Sequence, residues 1–234
     1  MLEYESMLNA PGLEADEKAT LLHSISVCRY RIGDLAGARE AIGVSKTLTR
    51  DQDLRLYIEL QEGVLLSRND ESDAALAKFK SLLANPAVNR LPEMRSSIQI
   101  NLSQLLLKLG RDTEALPVLR DLYDTGIGAA DYAYLIGNCL LKQGNLEQSE
   151  RMFAEAAEAG SDPSIRLQAR YQLGRTYARM GHFARAKEQL RICEEHIADS
   201  GIPSDWLFHT LADVSADLGD DLEAQRYRRL ANRV

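Results

Sequence analysis

The sequence is poor in aromatic residues, proline and cysteine. Among its 234 residues aromatics make up 6%, with a single Trp and six Pro. An all-β sandwich or barrel uses more aromatic and β-branched residues and more turn residues, so the composition favours helix. The three cysteines, Cys28, Cys139 and Cys193, are far apart and form no C-x-x-C pair. This argues against a disulfide framework and against a zinc finger, and we expect Cys139 and Cys193 to be buried structural thiols.

Long apolar runs and an excess of positive charge are also missing. No run approaches the length of about 18 apolar residues that a membrane helix needs, and the N-terminal segment lacks the pattern of a secretory signal. The chain has 28 Lys and Arg against 35 Asp and Glu, a net charge of -7. We therefore expect neither nucleic acid nor a membrane as partner. A cytoplasmic location is expected, or a periplasmic one if a signal segment has been removed.

Motifs for catalysis are absent from the sequence. The four histidines, His23, His182, His196 and His209, lie in different segments, and none forms an H-x-x-x-H pair or stands near a cysteine at ligand spacing. There is no phosphate-binding glycine motif and no G-x-S-x-G nucleophile turn. We therefore expect no enzyme activity, no metal and no cofactor.

What the sequence does contain is a repeated break between helical runs. Each break is followed by a second run with a small residue four positions before a large one. The break residues are Gly33, Asp70 in place of glycine, Gly110, Gly144, Gly181 and Gly219. Their successive spacings are 37, 40, 34, 37 and 38 residues. This regular spacing predicts six helix-turn-helix repeats.

These segments resemble the tetratricopeptide repeat family, whose unit has about 34 residues. The resemblance covers nearly the whole chain from about Ala19. The family has small residues at its eighth and twentieth positions and a bulky one at its twenty-fourth. The fourth and fifth repeats carry such residues there: Gly137, Ser149 and Phe153, then Gly174, Ala186 and Leu190. The second repeat departs from the pattern, because Glu59 and Glu62 stand where the family has bulky residues.

The resemblance implies an all-α fold, a right-handed superhelix of about six hairpins and about thirteen helices. We expect one solenoid over residues 1–234. Small residues let paired helices approach closely, so Gly137 and Gly174 should lie at the tightest contacts. The expected segments are an N-terminal capping helix at 1–17 and repeats near 19–52, 56–90, 92–129, 130–163, 164–200 and 203–234.

For function, the resemblance implies a non-enzymatic scaffold or adaptor that binds a peptide or partner protein in a concave groove lined by the first helix of each repeat. The groove positions carried over from the family are Asn101, Gln104, Tyr134, Asn138, Lys142, Gln168, Tyr171, Gln172, Arg175 and Arg179. The sixth repeat adds Trp206 and His209. Amides, phenols and cations suit the backbone and carboxylates of a peptide. The first two repeats offer mainly apolar residues, so polar recognition should centre on repeats three to five.

The fifth repeat is unusually basic. Between residues 166 and 191 there are seven basic residues and one acidic residue. One interpretation is that these cations pair with acidic neighbours such as Glu155 and Glu158. The other is that Arg175 and Arg179, four residues apart on one helix face, recognise an acidic peptide.

We expect a bacterial-type protein, and two further functions stay open for it. It could be the regulatory repeat domain of a larger signalling or transcription-control protein, or an assembly factor for a secretion, pilus or envelope system. The sequence does not predict an oligomeric state, and the favoured partner is a protein or peptide of acidic character.

Overall fold

The computed structural model describes residues 2–8 and 10–232, and within them it has thirteen α-helices, two short 3-10 turns and no strand. The predicted all-α class is confirmed. The helices are α1 (Leu2–Leu8), α2 (Ala15–Arg31), α3 (Leu35–Leu48), α4 (Gln52–Arg68), α5 (Ser72–Ala84), α6 (Pro92–Lys108), α7 (Asp112–Asp124), α8 (Ala129–Lys142), α9 (Leu146–Ala159), α10 (Pro163–Arg179), α11 (Phe183–Glu195), α12 (Ser204–Asp217) and α13 (Asp221–Ala231). The 3-10 turns are Pro86–Arg90 and Ile197–Asp199. Of the predicted capping segment, residues 1 and 9 lie outside the described residues.

The chain forms two compact units, Met1–Arg111 and Asp112–Val234. In the first unit, α2 packs on α3 and α4 on α5, while the second contains the pairs α8–α9, α10–α11 and α12–α13. The boundary falls inside the predicted third repeat, between α6 and α7. The single solenoid over the whole chain stays a prediction.

Each predicted break is a left-handed turn that ends the first helix of a pair. Gly33 has φ 86°, and Asp70, with φ 58°, is the one non-glycine residue of the described chain in this region. The amide after the break residue closes the turn: Asp34 N–H donates to the carbonyl of Arg29 at 2.9 Å. Glu71, Arg111, Asn145, His182 and Asp220 make the equivalent bond. This is the Schellman ending of a helix, and it confirms that Asp70 replaces glycine in the second break.

Helix starts follow the predicted capping residues. Asp162 accepts a hydrogen bond from the backbone N–H of Ser164, and Pro163 occupies the first helical position of α10. Pro92 likewise opens α6. Proline is suited to this position because its missing N–H would have no partner inside the helix.

The paired helices approach most closely where a glycine faces a large side chain sixteen residues later. A Cβ atom placed on Gly137 would lie 2.7 Å from Cε1 of Phe153, and one placed on Gly174 would lie 2.8 Å from Cγ of Leu190. Real Cβ atoms do not approach so closely, so a side chain at either position would force the facing residue to move. Both glycines lie at close helix contacts as predicted, but they are not the tightest, because the contact at Gly63 is closer.

The second repeat has the same geometry despite its charged residues. A Cβ atom on Gly63 would lie 2.6 Å from Cε1 of Phe79. Glu62 is accommodated because Lys46 Nζ lies 2.8 Å from its Oε1 and Lys78 Nζ lies 3.2 Å from its Oε2. The two lysines come from α3 and α5, so the departure from the family pattern is a local ion-pair cluster. Gly63 and Phe79 hold the same relative positions as Gly137 and Phe153.

The last hairpin is held to α11 by the carboxylate of Glu223. Lys187 and Arg191 of α11 both pair with this carboxylate, the latter at 2.8 Å, and Ser215 Oγ donates to it at 3.1 Å. Burial acts to raise the pKa of Glu223, but the hydrogen bonds from Lys187, Ser215 and Arg191 outweigh it and hold the pKa below its ordinary value. The carboxylate is therefore more stable in the folded chain than in the unfolded one.

We predict that Gly137→Leu and Gly174→Leu each lower the free energy of unfolding by about 1–3 kcal/mol or more, because the added side chain overpacks a filled contact. Urea unfolding followed by circular dichroism measures the change. Gly43→Ala is the control: this α3 residue is exposed and a Cβ there meets nothing within 4 Å. It should gain about 0.5–1 kcal/mol from helix propensity. Parent-like stability of both leucine variants would contradict the close contacts.

We also predict an acid-dependent contribution from Glu223. Because its folded pKa lies below the unfolded value of 4.5, its stabilisation is present above that value and is lost as the pH falls through the folded pKa. Glu223→Gln should lower the thermal midpoint at about pH 7, and the difference from the parent should shrink towards about pH 3. Exposed Glu195→Gln serves as the control. A difference that does not change with pH would argue against this role.

Candidate interaction surface

The first helices of successive hairpins lie side by side in each unit. In the second unit α10 contacts both α8 and α12, and in the first unit α4 contacts both α2 and α6. Each unit therefore has a face built from first helices. Of the ten predicted contact residues, Asn101 and Gln104 lie in the first unit and the other eight in the second.

Two predicted tyrosines of the second unit pack inside it. The ring centroid of Tyr134 lies 6.1 Å from that of Phe153, and Tyr134 is half-buried. Tyr171 is 6% exposed, and its hydroxyl lies 3.2 Å from Thr210 Oγ1. Since this hydroxyl joins α10 to α12, we leave Tyr171 out of the contact set proposed below.

Two of the predicted amide side chains bond within their own helices. Asn138 Nδ2 donates to the carbonyl of Tyr134 at 3.1 Å, and Gln168 Nε2 donates to Ser164 Oγ at 3.1 Å. Both side chains are half-buried. These bonds fix the amide groups and leave their oxygens as acceptors for a partner's backbone.

The two predicted cations at helix ends each contact a preceding helix. Lys142 Nζ lies 2.8 Å from Oδ1 of Asp112, whose side chain is only 14% exposed. Arg179 Nη1 donates to the carbonyl of Leu141 at 3.0 Å. Leu141 is in the last turn of α8, and its carbonyl also accepts from the backbone N–H of Gly144 at 3.2 Å, so Arg179 adds a second donor to a helix-terminal carbonyl. Arg179 therefore has a structural contact that the sequence did not indicate.

Arg175 is a cation of this face that remains accessible to a partner. Its Nη1 donates to Gln172 Oε1 at 3.2 Å, and its guanidinium carbon lies 5.7 Å from the Tyr171 ring centroid. Arg175 is exposed and has no carboxylate partner among the described residues. Trp206, on α12, is 59% exposed, and its carbonyl lies 3.5 Å from the Tyr171 hydroxyl. Tyr171 therefore contacts the side chain of Arg175 through its ring and the backbone of Trp206 through its hydroxyl.

The cations of the basic fifth hairpin do not use the acidic neighbours suggested by the sequence. In α11, Lys187 and Arg191 pair with Glu223 of α13. Glu155 instead accepts a hydrogen bond from the Tyr123 hydroxyl at 2.8 Å. The arginines of α10 bond to uncharged oxygens, for example Arg166 Nη1 to the carbonyl of Gly160 at 2.7 Å. Pairing with an acidic neighbour is therefore found for α11, but the partner is Glu223 of the following hairpin and not one of the residues suggested by the sequence.

In the first unit, Asn101 and Gln104 line a cavity of about 240 Å³. Asn101 Nδ2 donates to the carbonyl of Ser97 at 2.8 Å, whereas the Gln104 side chain is exposed. The same cavity is lined by Arg68 and Lys108. Lys108 also falls at a groove position that the family resemblance implies for the third repeat, whereas Arg68, the last basic residue before the second break, was not predicted.

The buried thiols bear out the sequence prediction. Cys139 and Cys193 are fully buried, and burial raises their pKa values to about 11 and about 12. They are packing residues and not nucleophiles at neutral pH. Within residues 2–8 and 10–232, no three His, Cys, Asp or Glu side chains are grouped to hold a metal ion. No described helix is both long and apolar enough to span a bilayer.

Paired helices, glycine-closed turns and a face of first helices define a helical-repeat protein. The tetratricopeptide repeat profile matches residues 60–130, 101–164 and 167–194, more than half of the chain. The chain belongs to the tetratricopeptide repeat family. No curated protein sequence matches it significantly.

Three solved structures with a similar fold have low sequence identity to this chain. A tetratricopeptide repeat protein from Parabacteroides merdae is 18% identical, with 89% of this chain and 77% of that one covered and a TM-score of 0.67. MamA from Desulfovibrio magneticus RS-1 is 20% identical over 79% of this chain and 97% of that one, with a TM-score of 0.63. YrrB, described as having an unusual peptide-binding site, is 18% identical over 95% and 97%, with a TM-score of 0.60. These likenesses support the fold alone.

Proposed function

We propose that the chain is a non-enzymatic interaction protein that binds a peptide segment of a partner protein on the first-helix face of its second unit. The proposal rests chiefly on one observation. Arg175, an exposed arginine without a carboxylate partner among the described residues, lies over the ring of buried Tyr171, and the Tyr171 hydroxyl contacts the backbone carbonyl of the exposed Trp206. Tryptophan and arginine are the residue types that most often dominate binding energy at protein interfaces.

The support beneath this pair makes it suitable for recognition. Tyr171 is held by its hydroxyl contact with Thr210, and Gln172 Oε1 accepts a hydrogen bond from Arg175. The Gln172 bond restricts Arg175 directly, and the Thr210 contact fixes the tyrosine ring beneath it. Fewer side-chain conformations are then lost on binding, which lowers its entropy cost. The half-buried amides of Asn138 and Gln168 add acceptors for peptide N–H groups.

The chemistry of Arg175 favours an acidic guest. Its guanidinium donates to one amide oxygen and retains further N–H groups, which match the planar geometry of a carboxylate. We therefore propose a peptide with an Asp or Glu side chain close to an apolar residue that covers Trp206. A cofactor, metal or catalytic group has no role in this binding.

We predict that Arg175→Glu weakens binding of such a peptide by about 10- to 100-fold, because a charge-assisted hydrogen bond worth about 1.5–3 kcal/mol is lost. Acid-containing peptides would first be selected from a phage-displayed library of random linear peptides on the purified chain. Their affinity is then measured from the fluorescence of Trp206, the single tryptophan of the chain. The parent affinity should also fall with added salt.

Two matched charge reversals separate recognition from stability. Arg151→Glu changes an exposed arginine of α9, a second helix, and should leave peptide affinity unchanged. Arg179→Glu removes the bond to the Leu141 carbonyl, so it should lower the thermal midpoint, whereas Arg175→Glu should not. If Arg175→Glu binds the selected peptides as tightly as the parent does, the proposed surface is wrong.

A further inference from the structure

A cleft of about 270 Å³ lies among α7, α8 and α9 of the second unit. Its floor is apolar, because Ile136 and Leu140 of α8 are buried there and Met152 of α9 borders it. The Tyr123 hydroxyl donates to Glu155 Oε2 at 2.8 Å, which ties α7 to α9 beside the cleft. The α7–α9 cleft is therefore an apolar hollow that exists before any partner binds.

Two arginines of the α7–α9 cleft are free to pair with a partner. Arg120 of α7 and Arg151 of α9 line the cleft, and both are exposed. Within residues 2–8 and 10–232, neither side chain makes a hydrogen bond or an ion pair. Asp124 is the one acidic residue of the lining. The cleft therefore combines an apolar floor with a surplus of positive charge.

The equivalent cleft of the first unit, among α3, α4 and α5, is occupied by its own charges. Glu62 and Lys78 line it, and their Oε2 and Nζ atoms lie 3.2 Å apart. These two residues directly precede the closely packed glycine and phenylalanine of their hairpin, and Ile136 and Met152 hold the same two positions in the second unit. Apolar residues thus replace the ion pair in the α7–α9 cleft and leave apolar surface for a partner.

An exposed apolar patch on the last hairpin, which we call the Leu222 patch, complements this cleft. Leu222, in the first turn of α13, is 83% exposed, and Leu218, at the end of α12, is 42% exposed. Asp217 and Asp221 directly precede them and are exposed, and no cation pairs with either in the part of the chain that the structure describes. Arg226, one helical turn after Leu222, adds one basic side chain. The patch therefore has two free acids where the cleft has two free arginines.

The Leu222 patch does not reach the cleft of its own chain. Helix α13 makes its contacts chiefly with α12, and α7 with α8, while both leucines of the patch stay exposed. A single exposed leucine is ordinary, but two leucines beside unpaired acids form a patch that a positively charged apolar cleft can cover. The occupant of the cleft must therefore come from another molecule.

We propose that the Leu222 patch of one copy of this chain docks in the α7–α9 cleft of a second copy. Leu222 then enters the apolar hollow and leaves water, which is the main gain in free energy. The two free aspartates of the patch face the two free arginines of the cleft, and Arg226 faces Asp124. Both signs of charge are thus matched across the contact, which fixes its register and disfavours other partners.

The contact is head-to-tail, because the patch and the cleft are different surfaces. Each added copy brings one free patch and one free cleft, so association continues beyond a dimer. A single leucine with its flanking charges makes a small interface, and we expect a dissociation constant of about 0.1 mM. The contact uses no residue of the peptide-binding surface around Arg175, so it neither requires nor excludes the function proposed above.

Sedimentation velocity of the full chain tests the contact. The average mass should exceed twice the monomer mass of 26.1 kDa as the concentration rises from about 10 µM to about 1 mM, and added salt should lower it. Arg120→Glu combined with Arg151→Glu should abolish association, because the new acids repel those of the patch. Leu222→Ser should weaken association by at least about tenfold, because the apolar anchor is lost. The three replaced side chains are exposed, so the thermal midpoints should not change.

Matched variants control for charge and for apolar surface. Arg31→Glu combined with Arg50→Glu makes the same change of net charge on exposed residues of the first unit and should associate like the parent. Ile32→Ser removes an apolar side chain of the first unit that is 68% exposed and should also have no effect. Arg175→Glu should associate like the parent, and a loss of association in this variant would place the contact on the first-helix face and overturn the proposal.

An equimolar mixture of the two defective variants is the decisive measurement. The chain with Arg120→Glu and Arg151→Glu keeps its patch, and the chain with Leu222→Ser keeps its cleft, so the mixture should form dimers and nothing larger. The contact is contradicted if the parent stays monomeric at about 1 mM, if the defective variants associate like the parent, or if their mixture stays monomeric.

Discussion

The close approach of paired helices is the constraint on which the rest of the structure depends. At Gly63, Gly137 and Gly174 the first helix offers no side chain, and Phe79, Phe153 or Leu190 of the second helix fills the space. Protein interiors are packed as densely as organic crystals, so the side chain that faces each glycine limits how closely and at what angle the two helices can cross. This crossing in turn decides which residues of the first helix face outward.

The turn between paired helices is a second constraint, because it fixes where each first helix ends. A left-handed residue and the amide that follows it end each first helix at the same point, even where Asp70 replaces glycine. The end of the helix then places a basic side chain near the preceding hairpin in four successive repeats: Arg68, Lys108, Lys142 and Arg179. Because the turns are alike, a basic residue near the end of each of these first helices lies close to the preceding hairpin.

The sequence predicted the helix class, the breaks and the tight glycines because each depends on a backbone or steric rule that only a few residue types satisfy. It could not predict that Arg179 bonds to a carbonyl while Arg175 stays open, since both are arginines four residues apart and only the neighbouring helix end distinguishes them. It also could not place Tyr171 inside, because the hydroxyl of Thr210 lies 39 residues further along the chain. Residue type indicates chemistry, but burial depends on distant atoms.

The environment of each cation separates structural from recognition roles. The Asp112 side chain is only 14% exposed although Lys142 is 59% exposed, so this pair is less screened by water than one between two exposed side chains. Arg179 is a second donor to the Leu141 carbonyl, which also accepts from the backbone N–H of Gly144 at 3.2 Å, so moving Arg179 loses one hydrogen bond but leaves that carbonyl paired. Lys108 faces a hydrated carboxylate and loses little by leaving it. The four equivalent cations therefore differ in the free energy that is lost when each leaves its present partner. A partner's carboxylate competes best where that loss is smallest.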